Sequence, residues 1–132
     1  MIRPLLLAAA MSCAGAAFAC GHCIEDRVAA VYDYAVEQRA ERDQLSIAYL
    51  GVTGRRAEST AAAATVAKAL DEIPAAIVGT VRTSVSPSAA SFAWRGDDAA
   101  LRDAVRGAND RLAASGLQVE LLKTWDRRRG LH

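Results

Sequence analysis

The tetrapeptide Cys20-Gly21-His22-Cys23 carries the residue types and spacing best suited to chemistry in this chain. Two cysteines three apart at the start of a helix bring both sulfurs to one side of its first turn. The free backbone N–H groups and the helix dipole there favour thiolate. Thiolate is both a nucleophile and a soft metal ligand, so the pair permits metal binding or thiol–disulfide exchange. Two soft sulfurs suit Cu(I), which accepts low coordination, whereas structural zinc calls for four ligands. His22 is a candidate third ligand beside Cys20 and Cys23; the remaining histidine, His132, is at the far end of the chain. The plain alternative is a small structural disulfide, which would restrain little of the unfolded chain because its loop is so short.

What precedes the pair sets its context. Residues 1–19 read as a secretory signal, with Arg3 as the positive start, Leu5 to Ala10 as the apolar run and Ala17-Phe18-Ala19 as a small-x-small cleavage site. The uncharged run from Pro4 to Cys20 falls short of the about 20 residues of a spanning helix. Cleavage before Cys20 would remove Cys13, leaving two of the three cysteines, and would remove Arg3, leaving equal numbers of basic and acidic residues. A neutral chain gives no electrostatic case for nucleic acid or an anionic membrane. Export implies an oxidising compartment, most simply a bacterial periplasm. A lipoprotein reading, with Cys20 acylated, fits less well because Ala17 and Phe18 depart from the usual pattern of such signals. If Cys20 is the free N-terminus, His22 becomes the third residue, and the amine, two amides and the imidazole can also wrap Cu(II) or Ni(II) in a square plane.

The elements that must position this site follow from periodicity. Ile24 to Asp43 predicts one amphipathic helix, with Ile24, Val28, Val31, Tyr32, Ala35 and Val36 as its apolar stripe; Tyr34 is offset from it. Gln44 to Val52 predicts a strand with Leu45, Ile47 and Tyr49 on one face, followed by a Gly51–Gly54 turn. An alanine-rich helix spans Ala57 to Leu70 and stops at Ile73-Pro74. Ile77 to Val85 and Ala89 to Arg95 predict a hairpin turning at Ser86-Pro87-Ser88, with Phe92 and Trp94 on one face. Asp97 caps a helix over Asp98 to Ser115, and Gly116 fits its C-terminal end. Leu117 to Lys123 is the last strand, with Leu117, Val119 and Leu121 on one face, and 125–132 is expected as a solvated basic tail. The expected organisation is therefore a single α+β domain, 20–132: the cysteine pair and an extra helix over 20–43, then a β-α-β-β-α-β core over 44–124 of the ferredoxin-like, split β-α-β kind.

That order, the size and the cysteine pair resemble heavy-metal-associated domains, the small copper-binding modules of chaperones and transport ATPases. The resemblance covers roughly residues 44–123 in topology and implies copper handling. It departs at the family's ligand loop, between first strand and first helix. Here that loop is Gly51-Val52-Thr53-Gly54-Arg55-Arg56, without cysteine. The tetrapeptide by itself resembles the active site of protein disulfide isomerases. That implies a thioredoxin-like oxidoreductase with Cys20 as the attacking thiol and Cys23 as the inner one. Ile73-Pro74 before a strand fits that plan, but no strand leads into Cys20.

The leading expectation is an exported metal-binding protein that binds or transfers copper through Cys20, Cys23 and His22. Its partners would be a metal ion and a periplasmic metal-handling or redox protein. A thiol–disulfide oxidoreductase and a non-catalytic interaction module with a structural disulfide are the alternatives. Nothing supports a hydrolase or a nucleotide enzyme: there is no phosphate-cradling glycine loop and no Ser/His/Asp arrangement that sequence can argue. Arg127-Arg128-Arg129 reads as solvated, and Trp94 and Trp125 read as core or edge-covering residues.

Overall fold

Ala89-Ala90-Ser91-Phe92-Ala93-Trp94 is buried at every position, so it must be covered on both sides. The computed structural model describes residues 23–132 and shows how. The helices are α1 (Ile24–Val31), α2 (Tyr34–Asp43), α3 (Thr60–Asp71) and α4 (Asp98–Leu112), the last extended by a 3-10 turn over Ala113–Ser115. The strands are β1 (Ser46–Gly54), β2 (Arg82–Ser84), β3 (Ala89–Trp94), β4 (Leu117–Asp126) and β5 (Gly130–Leu131). They form one sheet in the order β2-β3-β1-β4-β5, with every pairing antiparallel. Strands β1 to β4 with α3 and α4 make the ferredoxin-like arrangement, in which β3 lies between β1 and β2. That order, rather than a thioredoxin-like one, is what the chain builds. Among the described residues no helix is long and apolar enough to cross a membrane.

Alternation along β1 divides the interior in two. Ala48, Leu50 and Val52 join Phe92, Trp94, Val66, Leu70, Leu101 and Leu112 in the larger core beneath α3 and α4. Phe92 and Trp94 share this face with ring centroids 6.5 Å apart. On the opposite face Leu45, Ile47 and Tyr49 pack with Val28, Val31, Val36 and Ala40 of α1 and α2. The β3 residues on that side are Ala89, Ser91 and Ala93. Such small side chains let α1 lie close, and the Ser91 hydroxyl donates to the Val31 carbonyl at 3.1 Å. Each large apolar side chain buried this way contributes roughly 1.5–3 kcal/mol before entropy is counted. The leading helical segment therefore covers the second face of the sheet.

The helix expected over Ile24 to Asp43 is broken at Tyr32 and Asp33. Tyr32 is extended (φ −65°, ψ 132°), and Asp33 starts a new helix by accepting a 2.8 Å bond from the Ala35 N–H. Arg82 of β2 holds the same carboxylate at 2.8 Å. The break turns Tyr32 out of the apolar stripe, leaving it 47% exposed, while Tyr34 is exposed as its offset position implied. Gln44, expected in a strand, is the left-handed C-terminal residue of α2 (φ 56°).

The strand expected over Ile77 to Val85 shrinks to Arg82–Ser84 plus an isolated bridge from Ala76 to Trp94. The Thr80 hydroxyl takes up part of the backbone there, donating to the Ile77 carbonyl at 2.6 Å and accepting from the Ala93 N–H at 3.0 Å. Asp97 caps α4 through the Ala100 N–H at 2.8 Å, and Gly116 supplies the left-handed turn (φ 72°), both as the sequence implied. The register of β4 against β1 shifts between Tyr49 and Leu50, so Leu122 is an extra residue. Leu117 and Val119 are buried, but Leu121 is 43% exposed. After the shift, Trp125 packs on the α1 side.

Residues 125–132 are not a loose tail. β4 runs on to Asp126, a turn carries the three arginines, and β5 returns. Asp126 organises the turn by accepting from the N–H groups of Arg128 and Arg129, both at 2.9 Å. His132 closes it through paired backbone bonds with Thr124.

Candidate functional site

Residues 1–22, which include the expected signal segment 1–19 and the candidate ligands Cys20 and His22, lie outside the described residues, so Cys23 is the one predicted ligand with a described position. It stands at the N-terminal end of α1 in an extended conformation (φ −67°, ψ 168°). Its carbonyl accepts from the Arg27 N–H at 3.1 Å, and its side chain caps nothing. The thiol is exposed and has no cysteine partner among the described residues.

Glu25 is its charged neighbour. Its own backbone N–H, then the Lys123 ammonium and then the Cys23 thiol stabilise the Glu25 carboxylate and lower its pKa below the ordinary value. Lys123 Nζ stands 3.6 Å from Glu25 Oε1, tying the start of α1 to β4. One turn further, Arg27 lies across Gly51 and reaches Glu120 at 3.7 Å. A Cβ at Gly51 would stand 2.6 Å from Arg27 Nη1, so a side chain there would make the guanidinium shift.

Along α1, starting at Glu25, runs a shallow groove of about 340 Å³, lined by Glu25, Val28, Ala29, Tyr32, Lys123 and Leu131. Its surface is almost wholly apolar apart from the Glu25–Lys123 pair. The sequence did not reveal this groove. It depends on the turn at Tyr32 and on the return of β5, both of which periodicity missed.

The position where heavy-metal-associated domains carry their cysteines is the β1–α3 connection. Here it forms a cleft of about 460 Å³ lined by Arg55, Arg56 and Ser59 among others. Ser59 caps α3 through the Ala62 N–H at 3.1 Å. Two guanidinium groups at a helix N-terminus repel a cation, so the donor chemistry there does not suit copper. Among the described residues no three His, Cys, Asp or Glu side chains stand close enough to hold a metal ion. No family model matches this chain, and no curated protein or solved structure matches it.

Proposed function

We propose that the protein is an exported copper-binding protein that takes up Cu(I) through the thiolates of Cys20 and Cys23, with His22 as third donor, and passes it to a partner protein. The observation that supports this most directly is the exposed Cys23 thiol, presented at the N-terminal end of a helix that is itself packed onto the sheet. A thiol so placed can exchange its ligand with an incoming thiol, because no side chain must move to uncover it. The groove that starts at Glu25, two residues on, gives a partner an apolar surface against which to settle during transfer. In this reading the copper site has been placed on the added helical layer, since the β1–α3 loop carries arginines.

The test is a Cu(I) competition titration of the reduced, exported protein against a chromophoric chelator. One equivalent should bind to the wild type and be lost in Cys20→Ser and Cys23→Ser. Affinity no better than that of a simple peptide thiol overturns the copper reading. Turnover of a disulfide substrate by a protein that binds no copper would support the oxidoreductase instead.

A further inference from the structure

Among the described residues nothing covers the groove along α1. Glu25, Val28 and Ala29 line it from the helix, Tyr32 from the break that follows, and Lys123 and Leu131 from β4 and β5. Tyr32 and Leu131 are each 47% exposed, and Ile24, next to Glu25 in sequence, is 43% exposed. Large apolar side chains left open together mark a contact surface. The two charges of the groove answer one another, since Lys123 Nζ stands 3.6 Å from Glu25 Oε1. An uncharged, apolar occupant therefore suits it better than a charged one.

A chain of that kind leads straight into the groove. The described residues begin at Cys23, two positions before Glu25. The residues before it hold one charged side chain, Arg3, and from Pro4 to Cys20 there is none. The large apolar residue nearest to the groove in that run is Phe18, and Gly21 between Phe18 and Cys23 gives the backbone freedom to reverse. The lengths also match. From Glu25 to Tyr32 a helix advances roughly 10 Å. Three extended residues cover about the same distance, so a chain that reverses at Gly21 brings Phe18 level with Ala29 and Tyr32.

We infer that the segment Ala16 to Cys20 of the uncut chain closes this groove, with Phe18 seated among Val28, Ala29, Tyr32 and Leu131. Cleavage before Cys20 takes this plug away and opens the surface on which a copper partner settles. The plug rests on the groove and on the chain that leads into it; only its effect on transfer rests on the copper reading.

The test uses the full chain. Phe18→Asp lies outside the described fold and puts a charge where the groove has no free partner for it. It should move the methyl signals of Val28, Ala29 and Leu131 in a ¹³C spectrum and leave those of Val66 and Leu112, in the opposite core, in place. The exported chain that begins at Cys20 should show the same groove signals as this variant. Ala29→Glu, at an exposed helix position, attacks the contact from the other side. Chymotrypsin should cut after Phe18 about tenfold faster in it than in the wild type, because cleavage tracks the population in which the apolar ring is unburied. Groove signals that ignore Phe18→Asp, or equal cutting rates, overturn the proposal. Groove signals that move on dilution while Phe18→Asp has no effect put a second copy of the chain there and overturn it as well. None of these measurements uses copper, so their failure and that of the Cu(I) titration are separate results.

Discussion

The Asn109 side chain pairs with the backbone of Val119 as a neighbouring strand would. Its amide donates to the Val119 carbonyl at 3.0 Å, and its oxygen accepts from the Val119 N–H at 2.8 Å. Asn109 comes from α4, and it blocks the outer edge of β4 at the one stretch that β5 does not reach. Unpaired strand edges invite pairing with another chain. Asn109→Ala should therefore cost about 1–3 kcal/mol in urea unfolding. It should also introduce concentration-dependent association in light scattering. A variant equally stable and strictly unchanged in size would show that the contact protects nothing.

Thr80 makes a second side-chain substitute for a strand. Thr80→Val keeps the shape but removes the acceptor for the buried Ala93 N–H and the donor for the Ile77 carbonyl. A loss of about 1–3 kcal/mol is expected, because the N–H stays buried without a partner. Hydrogen exchange at the Ala93 amide should quicken more than at neighbouring β3 amides.

The joint between α1 and α2 should be sensitive to acid. The Arg82 guanidinium first, and then the Ala35 N–H, hold the Asp33 carboxyl below its ordinary pKa of 3.8. A depressed carboxylate contributes stability above the unfolded pKa and loses it as pH falls through the folded one. Wild-type stability should thus decline below about pH 4. Arg82→Met should lower stability at neutral pH and flatten that decline, as read from urea midpoints across pH.

Tyr49 should act at the alkaline end. Burial, and then the charges of Glu37 and Tyr32, push its pKa from 10.0 up to about 12. The neutral phenol is favoured in the fold, so its contribution is intact below pH 10 and drains away as pH rises toward 12. Ultraviolet titration should show a tyrosine ionisation near pH 12 that is absent in Tyr49→Phe, whose stability should fall less steeply over that range.

Much of this architecture was written in periodicity. The two-residue alternation of Leu45, Ile47 and Tyr49, the cap at Asp97 and the glycine at Gly116 each act locally, and each does what its residue type implies. The break at Asp33 was hidden because the apolar spacing continues across it; its cause is partly Arg82, 49 residues away in sequence. The hairpin ending in β5 was hidden because three adjacent arginines read as solvated, while the residue that folds them is Asp126. Of the candidate site, the place of Cys23 at the start of a helix was legible, but the apolar groove and the Glu25–Lys123 pair are products of long-range packing. The indole Nε1 of Trp94, buried without a hydrogen-bond partner, had no sequence signal, since a buried tryptophan ordinarily finds one.

The covering of the sheet on both faces has a consequence for encounters with other molecules. With α1 and α2 on one side and α3 and α4 on the other, the described residues leave no broad flat surface of strands for docking. One rim is a three-residue strand, and the other is stoppered by Asn109 and fastened by His132. A partner meeting this surface would find its openings at helix beginnings and loop junctions. Cys23 opens α1, and the cleft lined by Asp97 and Asp98 lies where α4 opens, so both stand at the mouths of helices.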